Sequence, residues 1–217
     1  MSEWQSYKEQ VLAACQQMGR LGLVVGTEGN VSARVRGAEL LVVTPSGRPY
    51  DTLSADDILV TDFTGDPVEG ELIPSVETLT HVAVYEARLD VGAVVHTHSP
   101  YATAAAAARV SLPAMLDEQT IRLGGEVKVS RYAMAASEDL AEAAVAALGD
   151  RAAALLANHV VLAVGADPAG ALLVAQLVER LAQIYLLAAS IGGPAPLPPE
   201  VVAAQKEIYA MMKEAKE

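Results

Sequence analysis

The sequence is poor in the features that mark several large protein classes. One cysteine, one tryptophan and one phenylalanine occur in 217 residues. A single Cys15 rules out an intrachain disulfide framework and fits a reducing compartment, so a cytoplasmic protein is expected. Cys15 lies in an amphipathic stretch and reads as a buried packing residue. Positive charge is scarce too: 15 Lys and Arg stand against 27 Asp and Glu, a net charge of −12. Duplex nucleic acid is held by basic patches that release counterions, and no Lys/Arg cluster is present. An anionic membrane surface is disfavoured for the same reason. The opening Met1-Ser2-Glu3-Trp4-Gln5 has neither a basic nor an apolar leader segment, so no signal peptide is expected. The most apolar stretch, 169–191, is broken by Gln176, Glu179, Arg180 and Gln183, which marks a buried or interface helix rather than a membrane span.

What is present is a large apolar fraction, 52%, carried mainly by Ala, Val and Leu, with charged residues at 19%. That suffices for a sizeable core in one domain spanning residues 1–217. Ser2-Glu3-Trp4-Gln5 resembles a capping box, opening a helix that Gly19 or Gly22 closes. Residues 31–36 and 39–44 are β-branched runs around Gly37-Ala38, a hairpin pattern. Residues 54–57 read as a helix start, 58–62 as a strand, and Pro74-Ser75 as the opening of a helix running to about 88. A continuous apolar strand is expected over 91–97, then a helix over 100–109 and a strand over 126–130. Ser137 caps a helix that Gly149 ends. Residues 152–165 form one bent strand or a hairpin around His159, and Pro168 starts a long helix followed by a last one over 200–216. Helices mixed with strands joined by tight turns predict an α/β fold, with a mainly antiparallel or mixed sheet flanked by helices.

The four histidines carry most of the chemistry. His96-Thr97-His98 ends the apolar strand, and alternation puts residues i and i+2 on one face, so both imidazoles point the same way. Two neutral imidazoles on a rigid face make a half-site for a divalent transition metal, zinc above all. His159 ends another apolar run and supplies a third nitrogen, leaving a fourth position open as catalytic sites do. Glu77, at the start of a helix, suits a fourth ligand that doubles as general base. His81, four residues on, shares a helix face with it and reads as structural. Three turn segments, 26–30, 44–47 and 74–75, expose backbone N–H and hydroxyl donors. Their convergence would cradle a phosphate without net positive charge.

Taken in order and at their spacing, these pieces resemble the class II aldolase/adducin family. They are Gly26-Thr27-Glu28-Gly29-Asn30-Val31-Ser32, Thr44-Pro45-Ser46-Gly47-Arg48-Pro49-Tyr50, Pro74-Ser75-Val76-Glu77, His96-Thr97-His98 and Asn158-His159. The resemblance implies a three-layer fold and zinc held by His96, His98 and His159, with Glu77 as resting-state ligand and proton-transfer group. It implies phosphate binding by Gly29, Asn30, Ser46, Gly47 and Ser75, and a homotetramer with active sites between subunits. It makes Tyr209 the candidate C-terminal proton-transfer tyrosine. The reaction implied is reversible cleavage of a ketose 1-phosphate to dihydroxyacetone phosphate, or a related hydroxyketone, and an aldehyde. Alternatives on the same scaffold are a sugar-phosphate 4-epimerase, for which Asp117 is the candidate acid, a decarboxylase, or a non-catalytic adducin-like module. Two positions depart from the family pattern. Val76 stands where a second serine is usual, and Val160 where a glycine follows the histidine; both bear on specificity, and Val160 raises the question of backbone strain.

Overall fold

The computed structural model describes residues 3–214. Helix α1 (Gln5–Arg20) opens the chain, with Trp4 as N-cap and no side-chain cap; Ser2 of the expected capping box lies outside the described residues. Its far end follows the expectation from glycine. The N–H of Gly22, at φ +68°, bonds the carbonyl of Gly19, and that of Leu23 the carbonyl of Met18, the paired bonds of a Schellman stop.

Eight strands follow in one sheet, ordered β4-β3-β2-β1-β5-β8-β7-β6. They are β1 (Asn30–Arg34), β2 (Leu40–Val43), β3 (Leu59–Asp62), β4 (Pro67–Glu69), β5 (Ala93–Thr97), β6 (Lys128–Val129), β7 (Ala153–Leu155) and β8 (Val161–Gly165). Every pairing is antiparallel except β6 with β7, so the sheet is mixed as expected. The hairpin of β1 and β2 forms around Gly37, and the 152–165 segment resolves into the β7–β8 hairpin.

Strand alternation splits the apolar residues into two cores and so gives three layers. Ala93 and Val95 of β5, with Val161 and Ala163 of β8, face a core shared with α1, α3 (Pro100–Ala107) and α6 (Pro168–Ala189). Val94, Leu162 and Val164 face the other side, against α2 (Thr78–Ala87) and α5 (Glu138–Leu148). Helix α6 is long and apolar enough to cross a membrane. Its Ala171, Ala175, Val178 and Leu181 are buried within the core, and the Glu179 carboxylate accepts the N–H groups of Tyr101 and Ala102 at 3.0 and 2.8 Å. A glutamate from one helix thus caps the free amides that open another.

Three elements differ from the sequence expectation. Helix α2 starts at Thr78, with Glu77 as N-cap, because the 74–77 segment is spent on a turn in which Ser75 accepts from Thr78. Asp117, in a stretch given no element above, is the first residue of a helix, α4 (Asp117–Leu123), too short to show a hydrophobic period. The strand expected over 126–130 is two residues long. The last helix, α7 (Pro199–Glu214), has no fully buried residue. Lys213 ties it to Asp90 at 3.0 Å, and Asp90 also pairs with both Nε and Nη2 of Arg88 at 2.8 and 2.7 Å.

These hydrogen bonds from Arg88 and Lys213 outweigh burial and hold the Asp90 carboxyl well below the usual carboxylate range. A depressed folded-state pKa contributes stability above the unfolded value, and that contribution fades as pH falls through the folded one. Asp90→Asn should therefore lower the Tm by about 2–6 °C at pH 7, with the gap to the parent closing below pH ~4 in thermal melts across pH.

Candidate active site

The register of β5 sets the site. His96 lies opposite Asn30 of β1 on one side and Leu162 of β8 on the other. Its side chain continues the face of Val94, toward α2, and His98 follows two residues on. Glu77 arrives on that face as the N-cap of α2. His159 is delivered by the β7–β8 turn, where Asn158 takes a left-handed φ of 55°. That turn is pinned from outside: the Asn158 N–H donates to the Ala106 carbonyl at 3.1 Å, and Arg109 Nε donates to Asn158 Oδ1 at 3.0 Å.

The expected three histidines do converge. Their ring centroids stand 5.1 to 5.6 Å apart in edge-on orientations. One nitrogen from each lies within 4.8 Å of the others, a spacing that suits a metal ion. Glu77 Oε2 is 2.8 Å from His96 Nε2, and Oε1 is 3.4 Å from His159 Nε2. Although close to that carboxylate, the buried His96 Nε2 lacks the alignment of a hydrogen bond. Three imidazole nitrogens and a carboxylate converging on one point are a donor set that fits a divalent metal.

Electrostatics agree. Burial, reinforced by His96, pushes His98 down to about 4 and lowers His159 as well, leaving neutral rings with lone pairs free at neutral pH. Burial pushes the Glu77 carboxyl up, but His96, His159 and the Asn30 amide outweigh it and hold the group well below the usual range. Asn30 Nδ2 donates to Glu77 Oε2 at 3.0 Å. The side chain expected on phosphate is therefore engaged with the carboxylate. Burial takes His81 down to about 3; its Nδ1 meets Ser32 Oγ at 2.7 Å, a structural role as expected.

The three turns also meet. Thr44 exchanges bonds with Val31, its N–H to the Val31 carbonyl at 3.1 Å and its Oγ1 accepting from the Val31 N–H at 3.2 Å. Pro45 bridges Pro74, with the Ser46 N–H on the Ile73 carbonyl at 2.8 Å and the Ser75 N–H on the Thr44 carbonyl at 3.2 Å. Ser46, Gly47 and Ser75 are thereby held beside each other, and Ser75 Oγ accepts from the Glu77 N–H at 3.3 Å. Gly29 is fixed by a steric constraint. At φ +74° its added Cβ would lie 2.6 Å from the His96 carbonyl oxygen and 2.8 Å from Val24 Cγ1.

Comparison with known proteins decides the family. The model for the class II aldolase and adducin N-terminal domain matches residues 9–186. The chain belongs to the class II aldolase and adducin family. It is 37% identical over 195 residues to a 5-deoxy-D-ribulose 1-phosphate aldolase of Bacillus thuringiensis, covering 89% of this chain and 91% of the relative. It is 37% identical over 188 residues to an L-fuculose phosphate aldolase of Escherichia coli, covering 87% and 86%. A solved L-fuculose 1-phosphate aldolase superposes with a TM-score of 0.90 at 35% identity, covering 97% of this chain and 98% of that one. With relatives of this kind, this family member is an enzyme of the class II, metal-dependent aldehyde-lyase type.

Four other site candidates of this class II aldolase fall elsewhere. Val76 is 69% exposed between Ser75 and Glu77, at the rim of the cradle. Val160 is fully buried in the α2/α5 core, and its φ is not positive, so the strain anticipated there is absent; Asn158 takes the left-handed turn instead. Asp117 accepts from Gln205 Nε2 at 2.5 Å, and Tyr209 donates to the Asp150 carbonyl at 3.2 Å. Neither is brought to the histidines within the chain. Sequence reasoning missed Glu28, whose Oε2 lies 3.8 Å from His98 Nδ1. It sits inside a turn already singled out, but contact across the strand end leaves no trace in spacing.

Gly29→Ala should cost at least ~1–3 kcal/mol for a side chain at positive φ, before any cost of the clash with His96. Denaturant unfolding measures the loss, and weaker metal retention than in the parent is expected because the obstructed atom belongs to His96, one of the three clustered imidazoles.

Proposed function

We propose that the chain is a zinc-dependent aldolase that reversibly cleaves a ketose 1-phosphate to dihydroxyacetone phosphate, or a related hydroxyketone, and an aldehyde. The observation that carries this reading is the Glu77 carboxylate lying 2.8 and 3.4 Å from two of three clustered imidazoles. His96, His98 and His159 would hold the metal, with Glu77 as a further ligand in the resting state. A bound zinc ion supplies Lewis-acid polarisation of the substrate's carbonyl oxygen.

The chain's own residues do the rest. Glu77 is ionised and aimed by Asn30, so it accepts a proton from the carbon next to the carbonyl in the synthetic direction and returns it in cleavage. Gly29, Ser46, Gly47 and Ser75 hold the phosphate through hydroxyl and backbone donors, which keeps the reacting carbon in reach of Glu77. Asn30 contributes through Glu77. The relatives named for sugar-phosphate substrates support this class. Val76 places an apolar group where a further donor would serve phosphate, so phosphate affinity is the property it tunes.

The reading includes a cytoplasmic homotetramer with active sites between subunits. Its support is the apolar surface beside Glu77, where Ile73, Val76 and Leu79 are 74%, 69% and 53% exposed. Asp117 and Tyr209 are held away from the cluster in their own chain, so a proton-transfer role for either runs across that interface.

Purified protein should cleave a ketose 1-phosphate, lose activity to a chelator and regain it with zinc. Glu77→Gln should cut kcat at least about 100-fold and abolish exchange of the donor's carbon-bound proton with solvent. Exchange at the parental rate would remove Glu77 as base, and chelator-resistant cleavage would remove the metal. Val76→Ser should lower the KM for phosphorylated donors about tenfold or more while leaving unphosphorylated donors unchanged; steady-state kinetics with both donor types checks it.

A further inference from the structure

A second concavity, about 1190 Å3, opens at the other end of the same strands. Its floor is Arg34 at the end of β1, Val91 and Gly92 before β5, and Gly165 at the end of β8. Asn30 and Arg34 stand four residues apart on β1, so the strand sets the two sites about 14 Å apart. Helices α1, α4 and α7 form the walls.

Its charge runs against that of the chain. Arg34, Arg36, Arg88, Arg122 and Lys213 line it, with Asp90 and Asp167 as the lining carboxylates. Both acids are engaged: Asp90 by Arg88 and Lys213, Asp167 by the Gly170 N–H at 2.7 Å. Among the described residues, no carboxylate pairs with Arg34, Arg36 or Arg122. Arg34 is nonetheless held rigidly. Its guanidinium lies 5.5 and 5.9 Å from the ring centres of Phe63 and Tyr85, and Nη1 donates to the Tyr85 carbonyl at 2.7 Å. That leaves a preorganised fork with donors unused, the form of arginine that suits a phosphate. Tyr7, Leu89, Ile121 and Met212 add apolar walls, and the volume far exceeds a bare phosphate.

We propose that this cavity is a second binding site, separate from the histidine cluster of its own chain, for a small phosphorylated metabolite. Arg34, Arg36 and Arg122 hold its phosphate and the apolar walls hold its body. The site stands whether or not the reaction assigned above is correct.

Inorganic phosphate titrated calorimetrically into the zinc-loaded protein tests it. In a Ser75→Ala background, which weakens the cradle by the histidines, phosphate should still bind. Adding Arg36→Ala and Arg122→Ala should then weaken that binding at least tenfold. Both arginines are exposed, so far-UV circular dichroism should report an intact fold, and cleavage kinetics on the parental Ser75 background should be unchanged. Arg36→Glu alone is the second probe and should weaken phosphate at least as much as Arg36→Ala. Phosphate affinity unaltered by these changes would overturn the proposal, as would a change in oligomeric state with phosphate binding unaltered. Loss of all phosphate binding on Ser75→Ala alone would overturn it too.

Discussion

The antiparallel register of β5 between β1 and β8 is the constraint on which the rest depends. It sets His96 level with Asn30, and Asn30 in turn holds the carboxylate that faces His96. A slip of one residue would turn every side chain of β5 to the opposite face and carry the imidazole into the α1/α6 core. The register is fixed from both faces at once: Val94 must meet the α2/α5 core while Ala93 and Val95 meet the other. Burying the strand on two sides therefore does more than stabilise it; it aims the imidazoles.

Much of this was legible in the sequence because local chemistry and global fold agree. The Gly37 hairpin, the Ser137 cap and Gly149 stop of α5, and the HxH pattern at a strand end each follow from a rule spanning a few residues. What the sequence withheld depends on distances across the chain. Asn30 belongs to a turn with donors suited to phosphate, yet its amide reaches Glu77, 47 residues away. Glu28 faces His98 for the same kind of reason. Val160 raised the question of strain because it stands where the family pattern has a glycine, whereas Asn158, before the histidine, carries the left-handed conformation. Helix α4 escaped notice because its seven residues give less than two full periods.

Net charge proves a poor guide to local potential. The chain carries −12 overall, yet five of its cations line one end of the central strands while its clustered imidazoles stand at the other. The one phenylalanine of the sequence stacks with Tyr85 and flanks Arg34. A low charged fraction does not mean weak electrostatics. A few like charges gathered at one end of the strands give a local field that evenly mixed charges would cancel.

The contact at Gly29 has a geometric consequence. Its backbone lies against the His96 carbonyl with no room for even a methyl group, so the 26–30 turn cannot move closer to the strand carrying His96, while the pairing of Asn30 with His96 keeps the two from parting. Ser46 and Ser75 are tied to that turn through Thr44 and Val31. The span from Ser46 and Ser75 to the histidines is consequently a fixed gauge. Under the proposed roles, a substrate whose anionic end and carbonyl are separated by that length would sit in it unstrained, and one a carbon longer or shorter would have to buckle or let go of one end.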